Sequence, residues 1–334
     1  MADGVQTVSQ EARQASSAWF SRCEISPLGE GFINDTFRVQ NRDRRYVLQR
    51  INASVFPNPR LVMSQTSRVV DHITTKISGW VPALVRNRAG EFLHEDAEGE
   101  AWRMWDYVEG TETHQFLASV AALRSAAQSF ARFQNLLIDL PGPRFKDPIP
   151  DFGRLECYLE DLGELRPEES WVRFIGQRKS LSELFRERTG YIHGDCKVNN
   201  LLYYSGRDNV AAVVDLDTVM YGHWAWDFGD LVRSAAGEAE TISLDRYERL
   251  LEGFLGETNV VATVDELVLS PRYMTLMLGV RQLADHLRGD RYFKVDAAGD
   301  NLRRAEAQFR LLESMEHSEV GMRALARKTL DANS

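Results

Sequence analysis

Between residues 25 and 52 apolar and polar positions alternate in short runs broken by turn residues. Gly29-Glu30-Gly31 makes one turn, Thr36-Phe37-Arg38-Val39 a strand, 41–44 a charged turn and Tyr46-Val47-Leu48 the returning strand, a pattern that predicts antiparallel hairpins. Past Pro57 and Pro59, residues 61–77 have helical spacing, and 80–85 and 101–108 predict two further strands. The period changes at Glu109-Gly110-Thr111. Phe116, Val120, Leu123, Ala127, Phe130 and Leu137 then recur at helical steps, the seam of an amphipathic helix against a core. Breaker-rich 141–150 is a loop, and helical segments run on to 188. A short period returns at Tyr191-Ile192-His193-Gly194-Asp195, followed by a strand over 201–204, a turn at 207–209 and a second strand over 210–216. Beyond Asp230 the spacing is helical again, with Leu302, Ala305, Phe309, Leu312 and Met315 on one face. The expectation is an α+β chain of two parts: 1–108, a small antiparallel β-rich N-lobe, and 109–334, a larger, mainly helical C-lobe with an inserted β-hairpin.

With 334 residues, 43% of them hydrophobic, the chain can bury a large core. A formal charge of -9 leaves no basic field to collect nucleic acid or anionic lipid, so an anionic ligand must be held locally. Three cysteines, Cys23, Cys157 and Cys196, lack C-x-x-C spacing and read as thiols in a reducing compartment. Residues 1–17 are polar and unlike a signal peptide, and no run approaches the roughly 18 apolar residues of a membrane span. A cytoplasmic monomer or homodimer, with neither nucleic-acid nor membrane partner, is expected.

The chemistry concentrates in His193-Gly194-Asp195-Cys196-Lys197-Val198-Asn199-Asn200 and in Val213-Val214-Asp215-Leu216-Asp217. Phosphoryl transfer needs a carboxylate to orient and deprotonate the attacking hydroxyl, and hard oxygen ligands for Mg²⁺. A loop Asp, an Asn five positions on, and a second Asp at the end of the next hairpin can converge on one point. Asp217, two residues from Asp215, would share its face on a strand.

H-G-D-x-x-x-x-N followed by V-V-D resembles the signature of the aminoglycoside phosphotransferase and choline kinase superfamily, small-molecule relatives of protein kinases. Residues 31–39 (GFINDTFRV), 46–57 (YVLQRINASVFP), 215–233 (DLDTVMYGHWAWDFGDLVR) and 281–293 (RQLADHLRGDRYF) are similar to the bacterial N-acetylhexosamine 1-kinases. The resemblance implies a bilobal protein-kinase-like fold, with ATP and Mg²⁺ as cofactors and a small-molecule sugar acceptor phosphorylated at its anomeric hydroxyl. It implies Asp195 as base, Lys197 as neutraliser of the transferring phosphate, and Asn200 and Asp215 as metal ligands, with Asp217 reaching a second metal or the acceptor. Another hydroxylated acceptor (aminoglycoside, choline, homoserine or another sugar) and a non-catalytic nucleotide-binding module are the alternatives.

For the nucleotide, Gly29 and Gly31 would let backbone approach phosphates or form a plain hairpin turn, and Asn34 stands where a third glycine would complete G-x-G-x-x-G. Where many kinases carry a strand lysine, Gln49 and Arg50 follow Leu48; either can substitute. Residues 105–108, including Asp106 and Val108, would form the adenine hinge or a plain edge strand. For the acceptor, Arg281 and Asp285 lie one helical turn apart and either grip hydroxyls or pair with each other. His223 and Trp224 either line the pocket or pack in the core. Asn34 and Asp35 reach the acceptor on resemblance alone. Asp227-Phe228-Gly229 spells a kinase metal motif but follows Asp215, which already fills that place, so Asp227 and Asp230 are read as capping a helix or bracing the catalytic loop.

Overall fold

The computed structural model describes residues 8–29, 33–238 and 240–333. The chain divides into two compact units, Met1–Glu109 and Gly110–Ser334.

In the first unit, α1 (Gln10–Ser16) starts at Ser9, whose hydroxyl accepts the Ala12 N–H. Strands β1 (Glu24–Pro27), β2 (Asp35–Asn41) and β3 (Arg44–Ile51) are followed by α2 (Pro59–Lys76), β4 (Leu93–Glu95) and β5 (Ala101–Asp106). The strands form one antiparallel sheet in the order β1-β2-β3-β5-β4. Because strand side chains alternate, Phe37, Val39, Tyr46, Leu48, Trp102 and Met104 point to one face and pack with Ala12, Ala15 and Trp19. Gln49 and Arg103, paired across β3 and β5, therefore share the opposite face, where Met63 of α2 meets Arg103.

The strand expected over 80–85 is absent. Pro82 has no N–H to give a ladder, and the segment only touches β5, by a bridge from Leu84 to Trp105 flanked by Val85 N–H to Met104 O and Asp106 N–H to Ala83 O.

In the second unit, β6 (Thr111–Glu112), α3 (Val120–Leu137), α4 (Leu155–Glu164) and α5 (Glu169–Gly176) lead to β7 (Gly190–Ile192). The hairpin follows as β8 (Leu201–Tyr204) and β9 (Val210–Val213), then β10 (Met220–Gly222), α6 (Trp224–Ala235), β11 (Gly237–Glu238) and β12 (Thr241–Ile242). The chain closes with α7 (Leu244–Leu255), α8 (Val264–Leu287), α9 (Asp300–His317) and α10 (Glu319–Asn333). The predicted seam on α3 holds for Leu123, Ala127, Phe130 and Leu137, which are buried. Phe116 lies outside the helix, 54% exposed under the Arg246 guanidinium, because the helix starts later, at the Ser119 cap. β6 instead joins the hairpin, pairing Thr111 with Tyr204 to make a three-stranded sheet. Helix α6 lies close along α8: a Cβ on Gly229 would sit 2.4 Å from the Ser270 carbonyl oxygen, so glycine is needed for that approach. No described helix is long and apolar enough to cross a membrane.

Candidate active site

β7 and β10 pair antiparallel, and the chain leaves β7 through His193 and Gly194 into the Asp195 loop. Gly194 has φ +82, and a Cβ there would meet the Thr218 carbonyl oxygen at 2.6 Å, so the loop can turn here only at glycine. Asp227 of α6, 1% exposed, accepts the N–H of His193 on one carboxylate oxygen and that of Gly194 on the other, each at 2.8 Å. Gln134 of α3 donates to the same carboxylate at 2.8 Å and to the Trp224 carbonyl at 3.1 Å. Burial pushes the Asp227 carboxyl up, while His193 and these donors pull it down. Asp227 thus braces the loop from beneath, one of the two structural roles anticipated, while Asp230 pairs with Arg233 one turn on.

The His193 ring is wedged between Phe130 and Phe133, edge to face at 5.4 and 5.3 Å. Its Nδ1 accepts the Asp195 N–H at 3.3 Å, which assigns the proton to Nε2, 2.9 Å from the Val214 carbonyl oxygen. The ring therefore ties the loop to the segment that carries Asp215.

The Asp195 side chain, 17% exposed, holds Lys197 Nζ at 2.6 Å on Oδ1 and 2.9 Å on Oδ2. Asn200 Nδ2 donates to the Asp195 carboxylate at 2.9 Å and to its carbonyl at 2.8 Å. Burial alone would raise the Asp195 pKa, but the charge and hydrogen bonds of Lys197, with His193 and Asn200, hold it below the ordinary value. Burial pulls Lys197 down, yet Asp195 and Asp230 keep it raised, so the pair stays ionised. Cys196 between them is buried, and its thiol is pushed well up by desolvation and by Asp227 and Asp230, which leaves it no thiolate to use.

Across the hairpin the Val214 N–H donates to the Asn200 carbonyl at 3.0 Å, one residue before Asp215. The metal ligands read from sequence thus lie next to each other along the backbone. The Asn200 amide nitrogen is turned to Asp195 and the Asp215 residue is exposed; an amide oxygen and a carboxylate are the hard oxygen donors that Mg²⁺ or Ca²⁺ takes. Among the described residues no three His, Cys, Asp or Glu side chains gather as a metal group. Asp217 differs from expectation. β9 ends at Val213, Asp215 is left-handed at φ +61, and Leu216–Thr218 is a 3₁₀ turn, so the two carboxylates do not follow strand alternation, and Asp217 is 2% exposed.

In the first unit, Gly29 has φ +69 with open space around its missing Cβ; Gly31 lies outside the described residues. Gln49 Oε1 receives Arg103 Nε and Nη2 at 3.1 and 2.9 Å and Trp105 Nε1 at 2.8 Å, while its amide nitrogen donates to Thr36. Arg50, on the other face of β3, is bound to Asp35 directly across the strand pair, so these two candidates hold each other. Asn34 accepts the Asn52 N–H at 3.0 Å and fixes the end of the hairpin. Asp106 is paired with Arg44 at 3.0 Å, its N–H taken by Ala83, and Val108 follows just past β5. Arg103, beside Gln49 and 1% exposed, was missed in the sequence; its signal was a lone charge in the apolar run 101–105.

The acceptor candidates divide. His223 caps α6, its Nδ1 accepting the Ala225 N–H at 3.2 Å, and burial lowers its pKa against the pull of Glu266 and Glu187. Trp224, 5% exposed, stacks on Phe254, so both residues pack in the interior. Asp285 does not pair with Arg281. Its oxygens accept the N–H groups of Arg291, Tyr292 and Phe293 and the Asn301 amide, all within 2.9 Å, so it shapes the following loop. Arg281 instead donates to the Tyr292 hydroxyl at 2.9 Å, and its guanidinium pKa, which burial lowers, is raised overall by Tyr158, Tyr292 and Asp195.

The phosphotransferase enzyme family (APH) matches residues 24–258, and the chain belongs to that family. It is thus a small-molecule, kinase-like phosphotransferase. Similar solved structures include a microcompartment-associated aminopropanol kinase, 16% identical over 97% of this chain and 98% of that one, with TM-score 0.62. A choline/ethanolamine kinase family protein from Mesorhizobium loti is 17% identical over 95% and 98%, with TM-score 0.64. An amicoumacin kinase in complex with AMP-PNP, Ca²⁺ and Ami is 13% identical over 92% and 93%, with TM-score 0.64. These likenesses show the kinase-like α+β fold expected from the sequence.

Proposed function

We propose that this phosphotransferase moves the γ-phosphate of ATP directly onto a small hydroxylated acceptor, and that the acceptor is an N-acetylhexosamine taken at its anomeric hydroxyl. The observation that carries the reading is the Asp195 carboxylate gripped by Lys197 and Asn200 on a loop braced by Asp227. Asp195 is ionised at neutral pH and accepts a hydrogen bond from the acceptor hydroxyl. As the oxygen–phosphorus bond forms and the bond from the γ-phosphorus to the β–γ bridging oxygen breaks, the hydroxyl proton passes to Asp195. Its depressed pKa makes Asp195 a weak base, so the proton moves late, when the attacking oxygen has already become acidic. Lys197 stays charged and offsets charge on the transferring phosphoryl group. Asn200 and Asp215 would hold Mg²⁺, which supplies neutralisation of the β- and γ-phosphate oxygens.

The sugar reading is supported by the similarity of 215–233 and 281–293 to hexosamine 1-kinases. Amine-bearing and choline-type acceptors are named for the neighbours, and they form the contrasting set. The test is ADP formation with MgATP against N-acetylglucosamine, N-acetylgalactosamine, choline and an aminoglycoside, with ³¹P NMR of the product. A 1-phosphate of an acetamido sugar supports the reading. Turnover confined to choline or aminoglycosides contradicts the acceptor, and ATP binding without turnover of any acceptor contradicts the activity.

A further inference from the structure

On the Tyr46 face of the first unit's sheet, opposite to Gln49 and Arg103, the segment after α1 and the turn from β2 to β3 enclose an open groove of about 520 Å³. Its walls are tied in place. Trp19 Nε1 donates to the Val85 carbonyl at 2.9 Å, while Arg88 gives its backbone N–H to Ala18 at 2.9 Å and a guanidinium N–H to the Ser17 carbonyl at 2.6 Å. Phe20, half-buried, lies against the buried Tyr46 with ring centroids 4.8 Å apart and gives the groove an apolar wall. Four guanidinium groups line it, those of Arg22, Arg42, Arg44 and Arg88, and among the described residues Asp43 is the carboxylate that faces them. Arg44 is paired with Asp106 at 3.0 Å, but no described carboxylate pairs with Arg22, Arg42 or Arg88. In a chain with 49 Asp and Glu against 40 Lys and Arg, this local gathering of like charge is repulsive. Arg42 adds a backbone cost. It is the first of the two loop residues between the paired Asn41 and Arg44, at φ +54, a conformation that favours glycine. A strained arginine beside other unneutralised cations costs stability, which fits a surface shaped for a ligand.

We infer that this groove binds an organic phosphate, a small molecule in which a phosphoryl group is joined to a ring. Guanidinium forks match phosphate oxygens two at a time, and the Phe20 ring offers a face on which a base or a sugar stacks. The volume is that of a small-molecule site. None of the lining residues is among those assigned above to ATP or the acceptor, so the ligand is bound in addition to them. With a net charge of -9, the chain attracts an anion only where cations gather, as they do here.

The test is calorimetric titration of the full chain, without ATP, Mg²⁺ or acceptor, against uridine monophosphate, glucose 6-phosphate, inorganic phosphate and uridine. At least one of the two ring phosphates should bind one to one, more tightly than inorganic phosphate, and uridine should not bind. Which of the two binds tells a nucleotide source from a sugar source. Arg22→Ala and Arg42→Gly should each weaken that binding by about tenfold or more, and added salt should weaken it in the wild type. Glycine suits φ +54, so Arg42→Gly should melt no lower than wild type, which separates lost charge from lost fold. Lys197→Met should leave the affinity unchanged, because the catalytic loop takes no part. Failure of both ring phosphates to bind overturns the inference, as does inorganic phosphate binding as tightly as they do, which means an adventitious ion only. Affinity that survives both arginine substitutions, or that falls with Lys197→Met, overturns it as well. Self-association in light scattering that Arg22→Ala abolishes gives the groove to a second copy of the chain and overturns the small-molecule assignment.

Discussion

Replacing Asp227 by asparagine tests the brace beneath the candidate base with a near-isosteric change. One oxygen of Asp227 takes the N–H of His193 and the amide of Gln134, and the other takes the N–H of Gly194. The variant's amide oxygen can keep the first pair. Its NH₂ then faces the Gly194 N–H, donor against donor, and one buried N–H is left unpaired. An unsatisfied buried donor costs about 1–3 kcal/mol, and relief from burying a carboxylate offsets part of it. Asp227→Ala leaves both loop N–H groups without their acceptor and costs about 2–6 kcal/mol. Urea unfolding measures these losses. Because the loop carries Asp195, kcat should fall with both variants while the KM for ATP changes less. Asp227→Asn with wild-type stability to within about 0.5 kcal/mol and undiminished kcat would refute the reasoning, since surface-like insensitivity is incompatible with a buried, triply bonded carboxylate.

Gly194→Ala should be destabilised by at least about 1–3 kcal/mol, because the residue sits at φ +82 and the new Cβ meets Thr218 backbone; equal thermal midpoints would contradict this. Since Lys197 holds the Asp195 pKa below the ordinary aspartate range, the acid limb of kcat/KM assigned to Asp195 should lie below that range and the rate should not fall on this account between about pH 5 and 8. By linkage the folded pair contributes stability above the unfolded pKa of Asp195 and loses it as pH falls through the depressed folded value. Lys197→Met leaves burial dominant, so the limb should move up in pH; an unmoved limb counts against the coupling. Asn200→Ala and Asp215→Ala should each raise the Mg²⁺ concentration needed for half-maximal turnover by about tenfold or more, read by metal titration at fixed ATP.

The two-part α+β architecture was legible because it rests on long-range changes of hydrophobic period. Leu123, Ala127, Phe130 and Leu137 mark α3 over many turns, and β8 and β9 stand out as an apolar hairpin between helices. Local backbone chemistry was less legible. Asp215 turning left-handed into a 3₁₀ turn, which ends the strand alternation expected between Asp215 and Asp217, has no signal in a run that reads as strand. Residues 80–85 have strand composition, yet Pro82 limits them to a single bridge.

At the site, the motif spacing found Asp195, Lys197 and Asn200, which the structure joins, because they lie within one loop. Partners from afar were not readable: Gln134 reaches Asp227 across 93 positions, and Arg103 reaches Gln49 across 54. A polar Gln134 among the mostly apolar buried positions of α3 was the available sign. Asp285 read as an acceptor ligand because i, i+4 spacing to Arg281 is visible in sequence, whereas three backbone N–H groups folding back onto it are not.

The turnover of Asp195→Asn with MgATP and N-acetylglucosamine bears most directly on the candidate base. The substitution keeps the side-chain shape but removes the carboxylate that receives the hydroxyl proton. The predicted result is a kcat lower by about 10²–10⁴-fold with ATP affinity preserved. A variant that retains more than about a tenth of wild-type turnover would contradict the assignment of Asp195.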